Sequence, residues 1–204
     1  MKKTIPSYYN QWIHLFGPSI LASILIILLS SWMESVSAAE LLTIPIALII
    51  LSSWEWFIHR YWMHNLSKRL PFLFKKHRIH HQLYTDQRMS IESYQELYFV
   101  LTPFQAIVLI FITIIPIFLI LYFISLNVAC LFIIVTLAYF IVYEMTHTTY
   151  HLPAHHWLKS NSIITFLSKH HTTHHHPKHK VKYNFNVTFP LFDWLKKTYR
   201  RFEK

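Results

Sequence analysis

The chain has little of what an ordinary soluble domain needs. Its 204 residues include one glycine, one cysteine and 14% charged side chains, while 53% are hydrophobic. A soluble domain of this size carries more charge and more turn glycine. Cys130 stands alone in an apolar run, so no intrachain disulfide can form, and packing is its expected role. No Asp, Glu, Lys or Arg occurs from Leu97 to Tyr143. As one helix that stretch would be roughly 70 Å long, over twice a bilayer core of about 30 Å. It must fold as two spans, and Ser125-Leu126-Asn127 is its most polar point. Neither a fixed-period repeat nor a Gly/Ser linker divides the sequence, so a single domain over residues 1–204 is expected.

Two further spans are read at Phe16–Met33 and about Ala38–Phe57, joined by the polar turn Glu34-Ser35-Val36-Ser37. The first starts late and lacks a small-residue cleavage site, which favours a retained helix over a signal peptide. The expected fold is an all-α integral membrane protein: four transmembrane helices as two hairpins, with a cytosolic histidine-rich helical cap. All nineteen Lys and Arg lie in three places, Lys2–Lys3, Arg60–Arg88 and Lys159–Lys204. With an even number of spans these share one side, and the positive-inside rule makes it the cytosol. That is the plasma or inner membrane in a bacterium and the endoplasmic reticulum in a eukaryote. Trp12, Trp32, Trp54, Trp56, Trp62, Trp157 and Trp194 sit near span ends or in flanking segments, as interfacial tryptophans do. The net charge of +10 then suits anionic lipid headgroups, and nucleic acid is not an expected partner.

Against these scarcities stand sixteen histidines, most of them in four clusters. They are His59 with His64; His77, His80 and His81; His147 with His151; and His171, His174 and His175. Neutral imidazole is a common ligand of transition metals. On a helix, residues three and four apart share a face, so each of the last three clusters can aim at one point. His59 and His64 are five apart, which predicts a helix end that unwinds between them. A lone cluster of this kind is more often surface chemistry, and His170–His179 taken alone reads as a nonspecific chelating tail. Four clusters on one side of a small membrane protein are hard to assign to unrelated patches. Ten histidines exceed what one ion takes and divide as about five each over two. Five nitrogens leave an open position on a six-coordinate ion, which suits iron. Glu55, one turn before His59, and Glu144, three residues before His147, are candidates to accept imidazole N–H groups.

These residues resemble the fatty acid hydroxylase superfamily of membrane histidine-box oxygenases, from about Glu55 to Thr198. Glu55 to His64, with its acidic-aromatic opening and His59-Arg60, is similar to the first box, and His77-Arg78-Ile79-His80-His81 to the second. Tyr143 to His151 and His170 to His175 look like boxes of the fatty acyl 2-hydroxylase branch. Asn184 to Leu195 is similar to the closing segment, with two departures. Asn186 stands where glycine is usual, and Lys196-Lys197 where Phe-Gly is usual. Asparagine tolerates left-handed backbone, so the turn at Asn186 is expected to survive.

The resemblance implies two Fe2+ ions held by His59, His64, His77, His80, His81, His147, His151, His171, His174 and His175, with zinc as a substitute in isolated protein. It implies O2 as co-substrate and hydroxylation of a fatty acyl or related lipid chain. Arg60 and Arg88 are read first as solvated or phospholipid-binding residues and second as neighbours of the substrate's head group. The segment before Phe16 is too short for a fused cytochrome b5 domain, so a separate cytochrome b5- or ferredoxin-like donor is expected. His155, His156 and His170 are assigned to outer contacts of the site, with His176 and His179 there or on the surface. A lipid desaturase or sterol-type oxidase would share the same cage. A membrane metal carrier would need polar or acidic residues inside the spans to make an ion path, and Leu97–Tyr143 carries no charge, which counts against it.

Overall fold

A computed structural model describes residues 4–66 and 70–202. Among them the regular structure is helical, and the one β-type contact is an isolated bridge between Thr85 and Arg88. The long helices are α1 (Gln11–Trp32), α3 (Thr43–Phe57), α6 (Phe104–Tyr122) and α7 (Leu126–His151). The short α2 (Ala38–Leu41) leads into α3, and a π-helical turn, Ile58–Met63, continues it. The other helices are α4 (Pro71–Leu83), α5 (Leu97–Val100), α8 (Ser162–His175) and α9 (Leu191–Leu195). Among the described residues four stretches are long and apolar enough to cross a membrane: Gln11–Trp32, Ala38–Met63, Phe104–Tyr122 and Leu126–His151. The uncharged run breaks between Tyr122 and Leu126, at the polar point read from the sequence.

The chain divides into two compact units. One comprises Trp12–Leu51 and Thr102–Val142. Its core packs Ala22 and Leu29 of α1 against Ile107 of α6 and Cys130, Ile133, Leu137 and Phe140 of α7. The small Ala22 and Cys130, both with no exposed surface, leave room for the larger side chains around them. Its two turns are bonded together. Asn127 Nδ2 donates to the Glu34 carbonyl (2.8 Å) and to Glu40 Oε2 (3.2 Å), and Ser125 Oγ donates to Glu40 Oε1. Glu40 also closes a capping box with Ser37, which starts α2. His14, apart from the four clusters, donates its Nε2–H to the Thr102 carbonyl at 2.9 Å, just before α6.

The other unit, Met1–Gln11, Ser52–Leu101 and Tyr143–Lys204, contains all four histidine clusters. Pro71 opens α4, where its missing N–H costs nothing. Asn161 caps α8 by accepting from the Ile163 and Ile164 amides (2.9 and 3.2 Å). The closing segment is organised by Asp193, which has no exposed surface. It accepts from the Phe185 and Asn186 amides (2.9 and 2.8 Å), from Thr198 Oγ1 (2.7 Å) and from His170 Nε2 (3.2 Å). Trp56 Nε1 donates to Thr198 Oγ1 at 2.9 Å, tying this segment to α3.

The departures from the family pattern resolve differently than expected. The left-handed residues here are Asn184 (φ 59°) and Lys197 (φ 55°), not Asn186. Asn186 works through its side chain. Its Nδ2 donates to the Ser52 carbonyl at 2.9 Å, and its Oδ1 accepts from the Phe192 and Asp193 amides at 3.1 and 3.2 Å. Lys197, where the resemblance leads to an expectation of glycine, lies in the backbone region glycine enters without cost.

Candidate metal centre

The ten histidines expected as ligands lie on four elements, and nine fall into two groups. His59, His64, His77, His81 and His174 form one; His80, His151, His171 and His175 form the other. Within each group the candidate ligand atoms all lie within 4.8 Å of one another. His147 stands at the edge of the second group, its ring centroid 4.8 Å from His171, 5.0 Å from His80 and 5.1 Å from His151. Its Nε2 is buried with no hydrogen-bond partner.

Helix geometry explains the division. Residues i and i+4 project within about 40° of each other, whereas i+3 lies about 60° to the other side. In α4 the i,i+4 pair His77 and His81 enters the first group, and His80 turns to the second. In α8 the i,i+4 pair His171 and His175 enters the second group, and His174 turns to the first. Each of these helices therefore wedges between the groups and serves both, rather than aiming its three imidazoles at one point. His81 and His175 stack where the groups meet, with centroids 4.2 Å apart.

The remaining pair corrects another expectation. The helix does not unwind between His59 and His64; it widens into a π turn. Residues five apart then share a face, and the two rings stack with centroids 5.2 Å apart and planes 19° apart. Such single turns recur at functional sites because they re-aim side chains without ending a helix.

The nitrogen positions test whether the groups fit metal. His80 donates its Nδ1–H to the Phe99 carbonyl (3.1 Å), and His175 donates its Nδ1–H to the Tyr84 carbonyl (2.7 Å). Each neutral ring then carries a lone pair on Nε2, and these two Nε2 atoms lie 3.1 Å apart. Two facing lone pairs repel unless a cation lies between them. In the first group His174 donates Nδ1–H to the Tyr183 carbonyl at 2.9 Å, and His59 donates likewise to the Phe185 carbonyl. Around it, His59–His77, His64–His77 and His77–His81 Nε2 separations are each 3.0 Å, and His64–His174 and His81–His174 are 3.1 Å. An ion with metal–nitrogen bonds of about 2.1 Å sets neighbouring nitrogens about 3.0 Å apart at right angles and about 3.4 Å apart at tetrahedral angles. The separations, 3.0–3.1 Å in the first group and 3.0–3.3 Å in the second, lie within the range that nitrogens sharing one ion would have. The donor set fits.

Burial keeps the ligands ready. Removal from water, reinforced by neighbouring imidazoles, holds His77, His80, His81, His171 and His174 well below the ordinary histidine range. The same burial pushes His175 down to about 3. Only neutral imidazole can bind a metal, so the fold holds the required protonation state.

The outer contacts differ from those expected. Main-chain carbonyls, not carboxylates, orient the rings: Phe185, Phe99, Tyr183 and Tyr84 as above, and Met89, which accepts from His151 Nδ1 at 2.7 Å. Glu55 accepts from the Val187 and Thr188 amides and from Thr188 Oγ1 (2.7 Å), fastening the segment that follows Phe185. Glu144 is buried and acts electrostatically on Lys76 and Tyr9. His170 bonds Asp193 and stacks on Tyr199, its centroid 5.5 Å away. His155 is exposed, while His156 caps the turn at Leu158 and stacks on Trp157. His176 lies 4.0 Å from Asp86 and its ring meets that of His179 at a 31° tilt, outside both groups. Arg60 lies over the Trp56 ring, and Arg88 pairs with Glu92 at the surface.

Four apolar spans and two nests of histidine alone define the class: a helical membrane protein with candidate sites for metal ions. Residues 44–198 match the fatty acid hydroxylase family, and the chain belongs to it. No curated protein and no solved structure matches the chain.

Proposed function

We propose that this protein is an O2-dependent di-iron hydroxylase of a fatty acyl chain or related membrane lipid, closest to the fatty acyl 2-hydroxylase branch. The observation that carries the reading is the pair of nests in which Nε2 lone pairs face one another about 3 Å apart, in a member of this family. His59, His64, His77, His81 and His174 would hold one ion. His80, His151, His171 and His175 would hold the other, with the unpartnered Nε2 of His147 as fifth donor. Bound iron supplies O2 activation and C–H cleavage; zinc in the same cage would not.

The chain's residues position and insulate. The five carbonyls fix the tautomers of His59, His80, His151, His174 and His175, leaving Nε2 of each free for an ion. Asp193 and Glu55 hold the 185–188 segment, and through it the carbonyl of Phe185 that orients His59. The uncharged run Leu97–Tyr143 offers a hydrocarbon phase from which an acyl chain can enter, and it speaks against an ion carrier. By the positive-inside rule the nests and both termini lie on the cytosolic side, and a cytochrome b5- or ferredoxin-like donor supplies electrons.

Lipids from an expressing strain with such a donor, grown under 18O2, should gain hydroxylated acyl species carrying the label. A new double bond without added oxygen would make the protein a desaturase sharing the same cage. An unaltered lipid profile despite a competent donor would contradict both.

A further inference from the structure

The proposed reaction is R–H + O2 + 2e− + 2H+ → R–OH + H2O. A C–H bond and the O–O bond break, C–O and O–H bonds form, and one oxygen leaves as water. The two electrons must reach the nests from outside, and the surface shows where. From Met145 to Phe202 the one carboxylate is Asp193, which is buried among its donors. Lys178, Lys182, Lys196, Lys197 and Arg201 of the same stretch are exposed. Met145–Phe202 thus carries exposed positive charge and no exposed carboxylate; Asp86 lies 4.0 Å from His176, just before the lysines.

One part of it is bonded to the metal nests. The loop after His175 folds back on itself, with the His179 amide donating to the His176 carbonyl (2.8 Å) and the Tyr183 amide to the His179 carbonyl (3.0 Å). It presents Lys178, Lys180 and Lys182 and ends at Tyr183, whose carbonyl accepts from His174 Nδ1 at 2.9 Å. Lys180 is near enough to act electrostatically on His64 and His175. A single hydrogen bond and one imidazole thus separate the basic loop from the first nest.

Resting on the hydroxylase reading, we propose that the Lys178, Lys180 and Lys182 loop is the docking surface for an acidic one-electron carrier protein, whose electrons enter through the Tyr183 main chain and His174. A segment that inserts in the interface would alternate its lysines with bulky apolar side chains, whereas a purely electrostatic attraction to anionic lipid is the outcome the vesicle measurement below distinguishes. Here the exposed apolar residue among the lysines is Val181, whereas Phe189, Trp194 and Leu195 lie further along the chain.

The test uses the full chain, metal-loaded, in phosphatidylcholine nanodiscs, with a cytochrome b5 haem domain and an acidic [2Fe–2S] ferredoxin as probes. At least one probe should bind with an affinity that falls about tenfold or more as salt rises from about 50 to about 300 mM. K178E/K182E, at the two exposed positions, should weaken that binding at least tenfold, while the product of a single turnover, formed when O2 is admitted after stoichiometric reduction by dithionite, stays within about twofold of the unaltered protein. Salt-insensitive binding, or equal binding by the variant, overturns the proposal. So does a variant that keeps donor binding but loses affinity for phosphatidylserine vesicles, which would make the loop a lipid contact. A variant that also loses dithionite-driven product overturns it too, because the loop would then act on the site itself. If the unaltered protein forms no product with dithionite yet binds a probe through these lysines, the docking surface stands and the hydroxylase reading fails.

Discussion

At the scale of single residues, the account rests on imidazoles kept neutral by burial. The sign of the resulting pH dependence follows from linkage. The unfolded chain binds protons on these rings near pH 6.5, while the folded, metal-free chain does not, so stability is present above about pH 6.5 and falls as pH is lowered. Each such ring contributes a slope of about 1.4 kcal/mol per pH unit until its folded pKa is reached, at about 3 for His175. Chelator-treated protein should therefore melt well below its pH 7.5 temperature at pH 5.5, and equal melting temperatures would contradict the neutral nests. Asp193→Asn removes a buried carboxylate that accepts four hydrogen bonds, one of them from the Phe185 amide. It should cost about 3 kcal/mol, seen as a lower melting temperature, and should lower metal content through His59. The histidines themselves were readable from spacing, but which nest each serves was not. Spacing gives an angle about a helix axis, and the target at that angle depends on packing. The carbonyls that orient the rings were hidden for a simpler reason: every residue has one.

Among elements, the five-residue gap between His59 and His64 was the one irregular spacing, and it marked the one π turn among the described residues. The sequence shows that an α-helix cannot serve this pair; whether the helix loosens or widens depends on what it packs against. The closing segment carried a similar clue at the wrong position. Asn186, expected to turn left-handed, is held by the hydrogen bonds of its side chain, while Asn184 and Lys197 carry the positive φ. Lys197→Gly should remove the left-handed penalty of a side chain, stabilising the protein by about 1 kcal/mol, or a few degrees of melting temperature. A lower melting temperature would mean that the lysine side chain contributes more than its backbone strain costs.

For the whole molecule, hydropathy and charge were enough to find four spans and the polar break in the uncharged run, because the bilayer sets their length. Sidedness was inferred from lysine and arginine alone. Cysteine labelling at Lys2, Lys76 and Lys204 would test it; Lys2 and Lys204 lie outside the described residues, and Lys76 is partly buried with its Nζ bonded to the Tyr98 carbonyl, so exposed Lys75 is the better probe. Label should reach Lys75→Cys only after the membrane is permeabilised, and labelling of intact cells would invert the topology. The division into two nests was foreshadowed only as arithmetic, ten ligands over two ions. The central claim, that both nests hold metal, is tested most directly by anomalous scattering from crystals of the purified protein at the absorption edge of whichever metal it carries. Two peaks are predicted, one among His59, His64, His77, His81 and His174 and one among His80, His147, His151, His171 and His175. A single peak, or density at His176 and His179 instead, would contradict the account.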